Sequence, residues 1–127
     1  MPENHLFEYA IIRIVPRVER EEFFNVGVVL FCKKLDFLEV KYVLPEEKIR
    51  LFCEMLQMEE LKEYLSSFEK ICKGTADGGP IALLDKASRF RWLTATRSTV
   101  LQTSKVHPGL CDNPEQALQR LFDQLVL

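Results

Sequence analysis

Histidine is scarce in this chain, which has only two, and none of its four cysteines stands at C-x-x-C spacing. No histidine lies at ligand spacing beside a cysteine, so the pattern argues against a zinc site, and neither metal nor cofactor is expected. Glycine is sparse as well, with five in all. Its one cluster, Gly74 to Pro80, has no strand before it and no Lys-Ser/Thr after it, so it is not a phosphate loop. The G-x-S-x-G and H-E-x-x-H signatures are missing, and no catalytic residue is assigned. Long hydrophobic runs are missing too. The longest, Val26 to Cys32, falls far short of the roughly 20 residues of a spanning helix. Met1 to Leu6 carries no basic-then-apolar leader, so a cytoplasmic protein with no membrane association is expected. Finally, acid is missing locally: from Lys86 to Cys111 there is no Asp or Glu.

What is present is material for a core. The chain has 127 residues, of which 47% are apolar and 28% charged, with a formal net charge of −2. That is one domain's length and an ordinary globular composition, so residues 1–127 are read as a single domain. Phe7 to Val15 is rich in β-branched and aromatic residues and stops at Pro16, which marks a strand. Positions 17–21 read as a loop. Glu22 to Cys32 and Phe37 to Leu44 read as two more strands, joined by the tight Lys33-Lys34-Leu35-Asp36 connection. Short links favour antiparallel neighbours, giving an N-terminal meander.

Helices follow. Pro45-Glu46-Glu47 opens one with the stripe Ile49, Phe52, Cys53, Leu56. A second carries Leu61, Tyr64, Leu65, Phe68, Ile71 and Cys72 inward and ends at Gly74. Pro80 to Leu93 reads as a third, with Leu83, Leu84, Ala87 and Phe90 inward. Thr99 to Val106 reads as an edge strand and Pro108-Gly109 as a turn. Asn113 caps a fourth helix with the stripe Leu118, Leu121, Phe122, Leu125. The fold class is α+β, an antiparallel sheet of three to four strands with about four helices. Cys32, Cys53 and Cys72 fall on apolar stripes and are read as free core thiols.

Strand alternation places Phe24, Val26, Val28 and Leu30 on one face of the second strand. The opposite face is apolar as well but carries Arg13 and Asn25. Such a face calls for a cover, either further chain or a second molecule, so a homodimer through the sheet is one expectation. Arg13 and Asn25 would then be part-buried polar groups in need of partners. Either they fix the sheet, with Arg13 paired to Glu22 or a C-terminal carboxylate, or they form a site. Arg97 is placed to fold over the same face, so Arg13, Asn25 and Arg97 are expected to line one anion-binding concavity.

Charge patterning adds a second candidate. Lys86, Arg89, Arg91, Arg97 and Lys105 stand together in the acid-free segment. Arg89 and Arg91 either complement a helix C-terminus or, with Trp92, Thr94, Thr96, Arg97 and Ser98, bind a phosphate or an acidic partner segment. His107 is a possible general base without an evident nucleophile beside it. The paired glutamates Glu46-Glu47 and Glu59-Glu60 belong to solvated helix faces. The acidic overall balance makes nucleic-acid binding through residues 86–107 a weak third option.

Several segments resemble a small bacterial family known only as a domain of unknown function. They are Tyr9-x-x-x-Arg13-x-x-Pro16, Glu22-Phe23-Phe24-Asn25-Val26-Gly27-Val28-Val29-Leu30-Phe31, Leu93-Thr94-Ala95-x-Arg97, Pro108-Gly109-Leu110, Asp112-x-Pro114-Glu115 and Leu118-x-x-Leu121-Phe122. The resemblance spans nearly the whole chain and brings no catalytic residue with it. In similar proteins a glycine often follows the arginine matching Arg97, whereas here Ser98 stands. The resemblance also implies a partner, because relatives are often encoded beside a HipA-like kinase. The leading expectation is therefore a non-enzymatic protein-interaction module or accessory subunit. The alternative is a small anion- or nucleotide-binding domain or enzyme using Arg13, Asn25, Arg97 and His107.

Overall fold

The computed structural model describes residues 4–16, 21–52, 57–97 and 99–127. Loop positions 17–20, the side chain of Phe52, Cys53, Leu56 and Ser98 lie outside the described residues. The meander is present as β1 (His5–Ile14), β2 (Phe24–Cys32) and β3 (Phe37–Tyr42), all antiparallel. Asp36 adopts φ 52° to close the turn between β2 and β3, and its amide donates to the Lys33 carbonyl at 3.1 Å. An aspartate tolerates this left-handed conformation better than most residues do.

Two further strands, β4 (Leu101–Thr103) and β5 (His107–Cys111), pair with the other edge of β1, giving five strands in the order β3-β2-β1-β4 with β5 also on β1. They form one interrupted strand. Thr103 opposes Ile12 and His107 opposes Tyr9, so three residues stand against two. Ser104 manages the extra residue: its amide donates to the Ile11 carbonyl and its Oγ accepts from the Ile11 amide, both at 2.8 Å. The turn expected at Pro108-Gly109 is therefore strand. Proline is tolerated on an edge strand. Gly109 leaves the space that the Phe7 ring fills, since a Cβ there would lie 2.3 Å from Phe7 Cζ.

The helices are α1 (Glu46–Phe52), α2 (Met58–Lys73), α3 (Lys86–Leu93) and α4 (Pro114–Leu125). Gly74 ends α2 in the left-handed conformation, φ 72°. Asn113 caps α4, its side chain accepting from the Gln116 amide at 3.1 Å. The third helix is shorter than the sequence suggests. Pro80–Leu83 forms a 3-10 turn, and α3 starts only after Asp85, whose carboxylate accepts from the Ser88 amide at 2.7 Å. Leu83 and Leu84, expected inward, are exposed in consequence. Tyr64, also expected inward, is 40% exposed and donates its hydroxyl hydrogen bond to Glu60.

The sheet is covered on both faces. A β-bulge at Val26 decides how: Ile12 opposes Gly27, but Arg13 opposes Asn25. The extra residue reverses the alternation along β2. Val26, Val29 and Phe31 therefore join Ala10, Ile12 and Ile14 in the core beneath α2 and α3. Val28, Leu30 and Cys32 join Phe7, Leu118 and Leu121 in a second core beneath α4. The expected common face of Phe24, Val26, Val28 and Leu30 is thus split. The cover that the second face required is the chain's own α4, packed over β2 and β3.

Candidate functional site

Arg13 and Asn25 are direct cross-strand partners, and Arg13 shares the α4 side of β1 with Phe7 and Tyr9. Local bonding holds both. Asn25 Nδ2 donates to the Leu125 carbonyl at 3.0 Å, which ties β2 to the last turn of α4. The Arg13 guanidinium lies over the Phe23 ring, 4.1 Å from its centroid. Two atoms are left over. Arg13 Nε and Asn25 Oδ1 are both buried without a hydrogen-bond partner. One needs an acceptor and the other a donor, so a small group carrying both, water included, satisfies the pair.

His107 is exposed on the same side of the sheet, opposite Tyr9, with ring centroids 5.5 Å apart. Arg91 lies on the other side, where its Nη1 is 3.4 Å from the Glu8 carboxylate.

Arg97 is also on that other side, with α2 and α3. Its Nη1 donates to the Leu93 carbonyl at 3.2 Å and its Nη2 to the Trp92 carbonyl, while the guanidinium stacks 4.3 Å from the Trp92 ring centroid. It is a C-terminal cap for α3, placed where a cation complements the helix dipole. Burial pulls its pKa below the ordinary arginine value. No carboxylate pairs with it among the described residues. The sheet therefore separates Arg97 from Arg13 and Asn25. The convergence expected from the sequence required Arg97 to fold over the α4 face, but the carbonyls at the end of α3 hold it on the opposite one.

What Arg97 does line is a cleft of about 230 Å³ between α2, α3 and β4. Phe68, Ile71, Leu93 and Leu101 form its apolar walls, and Tyr64 and Trp92 stand at its rim. Arg97 is the one charged residue among its described lining. The sequence reading grouped Trp92 with Arg97 for anion binding but did not place either beside an apolar cleft. Trp92 lies outside the inward positions of α3 and is 41% exposed.

The model for proteins of unknown function DUF3037 matches residues 9–126. The chain belongs to the DUF3037 family. No curated protein and no solved structure matches it.

Among the cations of this DUF3037 chain, Arg89 was read as one of a possible anion-binding group and has a different task. It is 7% exposed, and its Nη1 donates to the carbonyls of Ile71 and Cys72, both at 3.2 Å. It complements the C-terminus of α2, not that of its own helix. Lys86 pairs with Asp36 at 3.0 Å. Of the five cations in the acid-free segment, four are thus engaged within the fold. Cys32, Cys72 and Cys111 are free and buried. Burial pushes the Cys72 thiol up to about 12. Among the described residues no group of His, Cys, Asp and Glu has the arrangement of a metal site.

Proposed function

We propose that this DUF3037 chain is a non-enzymatic protein-interaction module, an accessory subunit whose partner docks on the cleft between α2, α3 and β4. One observation carries the reading: an apolar cleft rimmed by two exposed aromatics opens beside a strand at the edge of the sheet. Exposed aromatic side chains around a concave apolar surface are the usual composition of a binding hot spot. A cytoplasmic, kinase-like partner of the HipA type is the first to try, on the resemblance alone.

The test uses Ser67, an exposed α2 residue lining the cleft. Ser67→Arg places a long side chain across the opening without touching the core. Arg120→Glu, exposed on α4 on the opposite side of the sheet, is the control. A partner captured by the native chain and by Arg120→Glu, and lost with Ser67→Arg, supports the reading. Loss with Arg120→Glu alone overturns it.

A second reading has an observation of its own. The unpaired Arg13 Nε and Asn25 Oδ1 favour a small ligand that carries both an acceptor and a donor, such as a protonated phosphate or an amide, on the α4 side. A thermal-shift screen with phosphate, nucleotides and carboxylates tests it. A ligand that stabilises the native chain but not Arg13→Gln supports it, and a screen without a hit removes it. Nucleic-acid binding through residues 86–107 draws little support, since Lys86 and Arg91 pair with acids and Arg89 is buried against the end of α2.

A further inference from the structure

β4 offers more than a wall for the cleft. On its inner side, the Ser104 amide donates to the Ile11 carbonyl and the Val15 amide to the Val100 carbonyl. In an antiparallel ladder the bonded residues alternate, so Val100, Gln102 and Ser104 turn their backbone groups toward β1. Leu101 and Thr103 turn theirs outward, to an edge with no strand beyond it among the described residues. Thr99 Oγ1 donates to the Leu101 carbonyl at 2.7 Å. The Leu101 amide and both Thr103 backbone groups have no partner there among the described residues. Leu101 and Thr103 oppose Ile14 and Ile12, so their side chains point to the face that holds the cleft. A strand added to this edge would direct every second side chain into the cleft, against Phe68 and Ile71.

Charge narrows the occupant. Arg97 is part-buried at the cleft and has no acidic partner among the described residues. The segment from Lys86 to Cys111 supplies no acid of its own. On the α2 rim the Glu60 carboxylate is bonded by the Tyr64 hydroxyl, and no carboxylate is among the described lining of the cleft. A carboxylate arriving with the partner would supply the missing counter-charge in a water-poor setting.

We propose that the cleft takes an extended peptide segment of a partner protein, added as a strand to β4, with one large apolar side chain in the cleft and an Asp or Glu beside it meeting Arg97. This rests on the docking reading above and specifies the chemistry of the partner.

The experiment selects phage-displayed random nonapeptides on the whole chain and measures the synthetic selectants by fluorescence anisotropy. Selectants should share a large apolar residue next to an acid. N-methylation of alternate backbone nitrogens should weaken binding at least tenfold, because it removes ladder hydrogen bonds. Replacing the acid by Lys should weaken binding by a similar factor. Ser67→Arg should abolish binding.

Selectants with helical i, i+3, i+4 spacing that tolerate N-methylation and still fail on Ser67→Arg overturn strand addition and leave the docking cleft standing. Self-association of the native chain, broken by Ser67→Arg, names a second copy as occupant and overturns the peptide proposal alone. Selectants indifferent to Ser67→Arg, or none at all with a monomeric chain, overturn both.

Discussion

At the scale of single residues, the most consequential side chain is Arg89. A buried guanidinium is costly unless its hydrogen-bonding groups find partners; here Nη1 meets two carbonyls at the end of α2, while Nε is buried without one. Gly74 is tied to the same contact. It adopts φ 72°, and a Cβ there would lie 2.2 Å from Arg89 Nη1. Arg89→Met should lower stability by about 1–3 kcal/mol, since the Cys72 carbonyl loses its donor and the Ile71 carbonyl keeps only the Gly74 amide. Gly74→Ala alone should cost more than its left-handed conformation demands, about 1–2 kcal/mol. In the Arg89→Met background the Gly74→Ala penalty should shrink toward that conformational share. Urea denaturation of the two single variants and the double variant measures the coupling, and strict additivity would contradict it.

Cys72 makes a second residue-scale prediction. Its thiol is raised from the ordinary value of 9.0 to about 12, first because burial disfavours the thiolate. A group raised in the folded state contributes stability that is intact below its unfolded value and declines as pH climbs through the folded one. Cys72 should therefore add no pH dependence between pH 5 and 8, and should erode stability only on the alkaline side, from about pH 9 upward. Iodoacetamide labelling of the native chain at pH 8, read by peptide mass spectrometry, should leave Cys72 unmodified. Rapid native-state modification would show that the thiol is not held in the core.

At the scale of elements, the meander, the capped fourth helix and the end of α2 at Gly74 were legible because local signals decided them. Asn113, Pro114 and Gly74 act within their own turn. What misled were positions where tertiary contact reverses a local rule. The bulge at Val26 moves half of β2 to the opposite face, and nothing in its alternating apolar residues marks where the extra residue falls. Pro108-Gly109 has turn chemistry but lies flat on a sheet edge beneath the Phe7 ring. Leu83 and Leu84 match a helical period that the Pro80–Leu83 turn never continues. Of the candidate site, Arg13 and Asn25 were legible as neighbours because they lie on adjacent meander strands. The position of Arg97 was not, because it depends on the carbonyls at the end of α3.

Ser104 belongs to this scale. It stands between β4 and β5, and its hydroxyl accepts the one Ile11 backbone group that the interrupted strand leaves without a ladder partner. Ser104→Ala should cost about 1–3 kcal/mol, the range for an orphaned buried donor. Hydrogen exchange at the Ile11 amide should accelerate in step. Unchanged exchange at Ile11 would show that water or backbone movement replaces the hydroxyl.

At the scale of the molecule, one sheet carries two cores, with α2 and α3 on one side and α4 on the other. The α4 side holds a pair of polar groups with buried, unpaired atoms, and the α2–α3 side holds the apolar cleft. Most of the basic residues of the acid-free segment stabilise helix ends or pair with acids, so the charge asymmetry visible in the sequence is largely consumed by the fold. The proposed docking surface is the cleft, its aromatic rim and the adjacent edge of β4. The most direct test of that assignment is site-specific photo-cross-linking in cells. Benzoylphenylalanine would be placed at Ser67 or Trp92 on the cleft side, and at Gln116 or Arg120 on the exposed side of α4. Docking at the cleft predicts one discrete cross-linked protein from Ser67 and Trp92 and none from Gln116 or Arg120. Cross-linking from the α4 positions alone would contradict it.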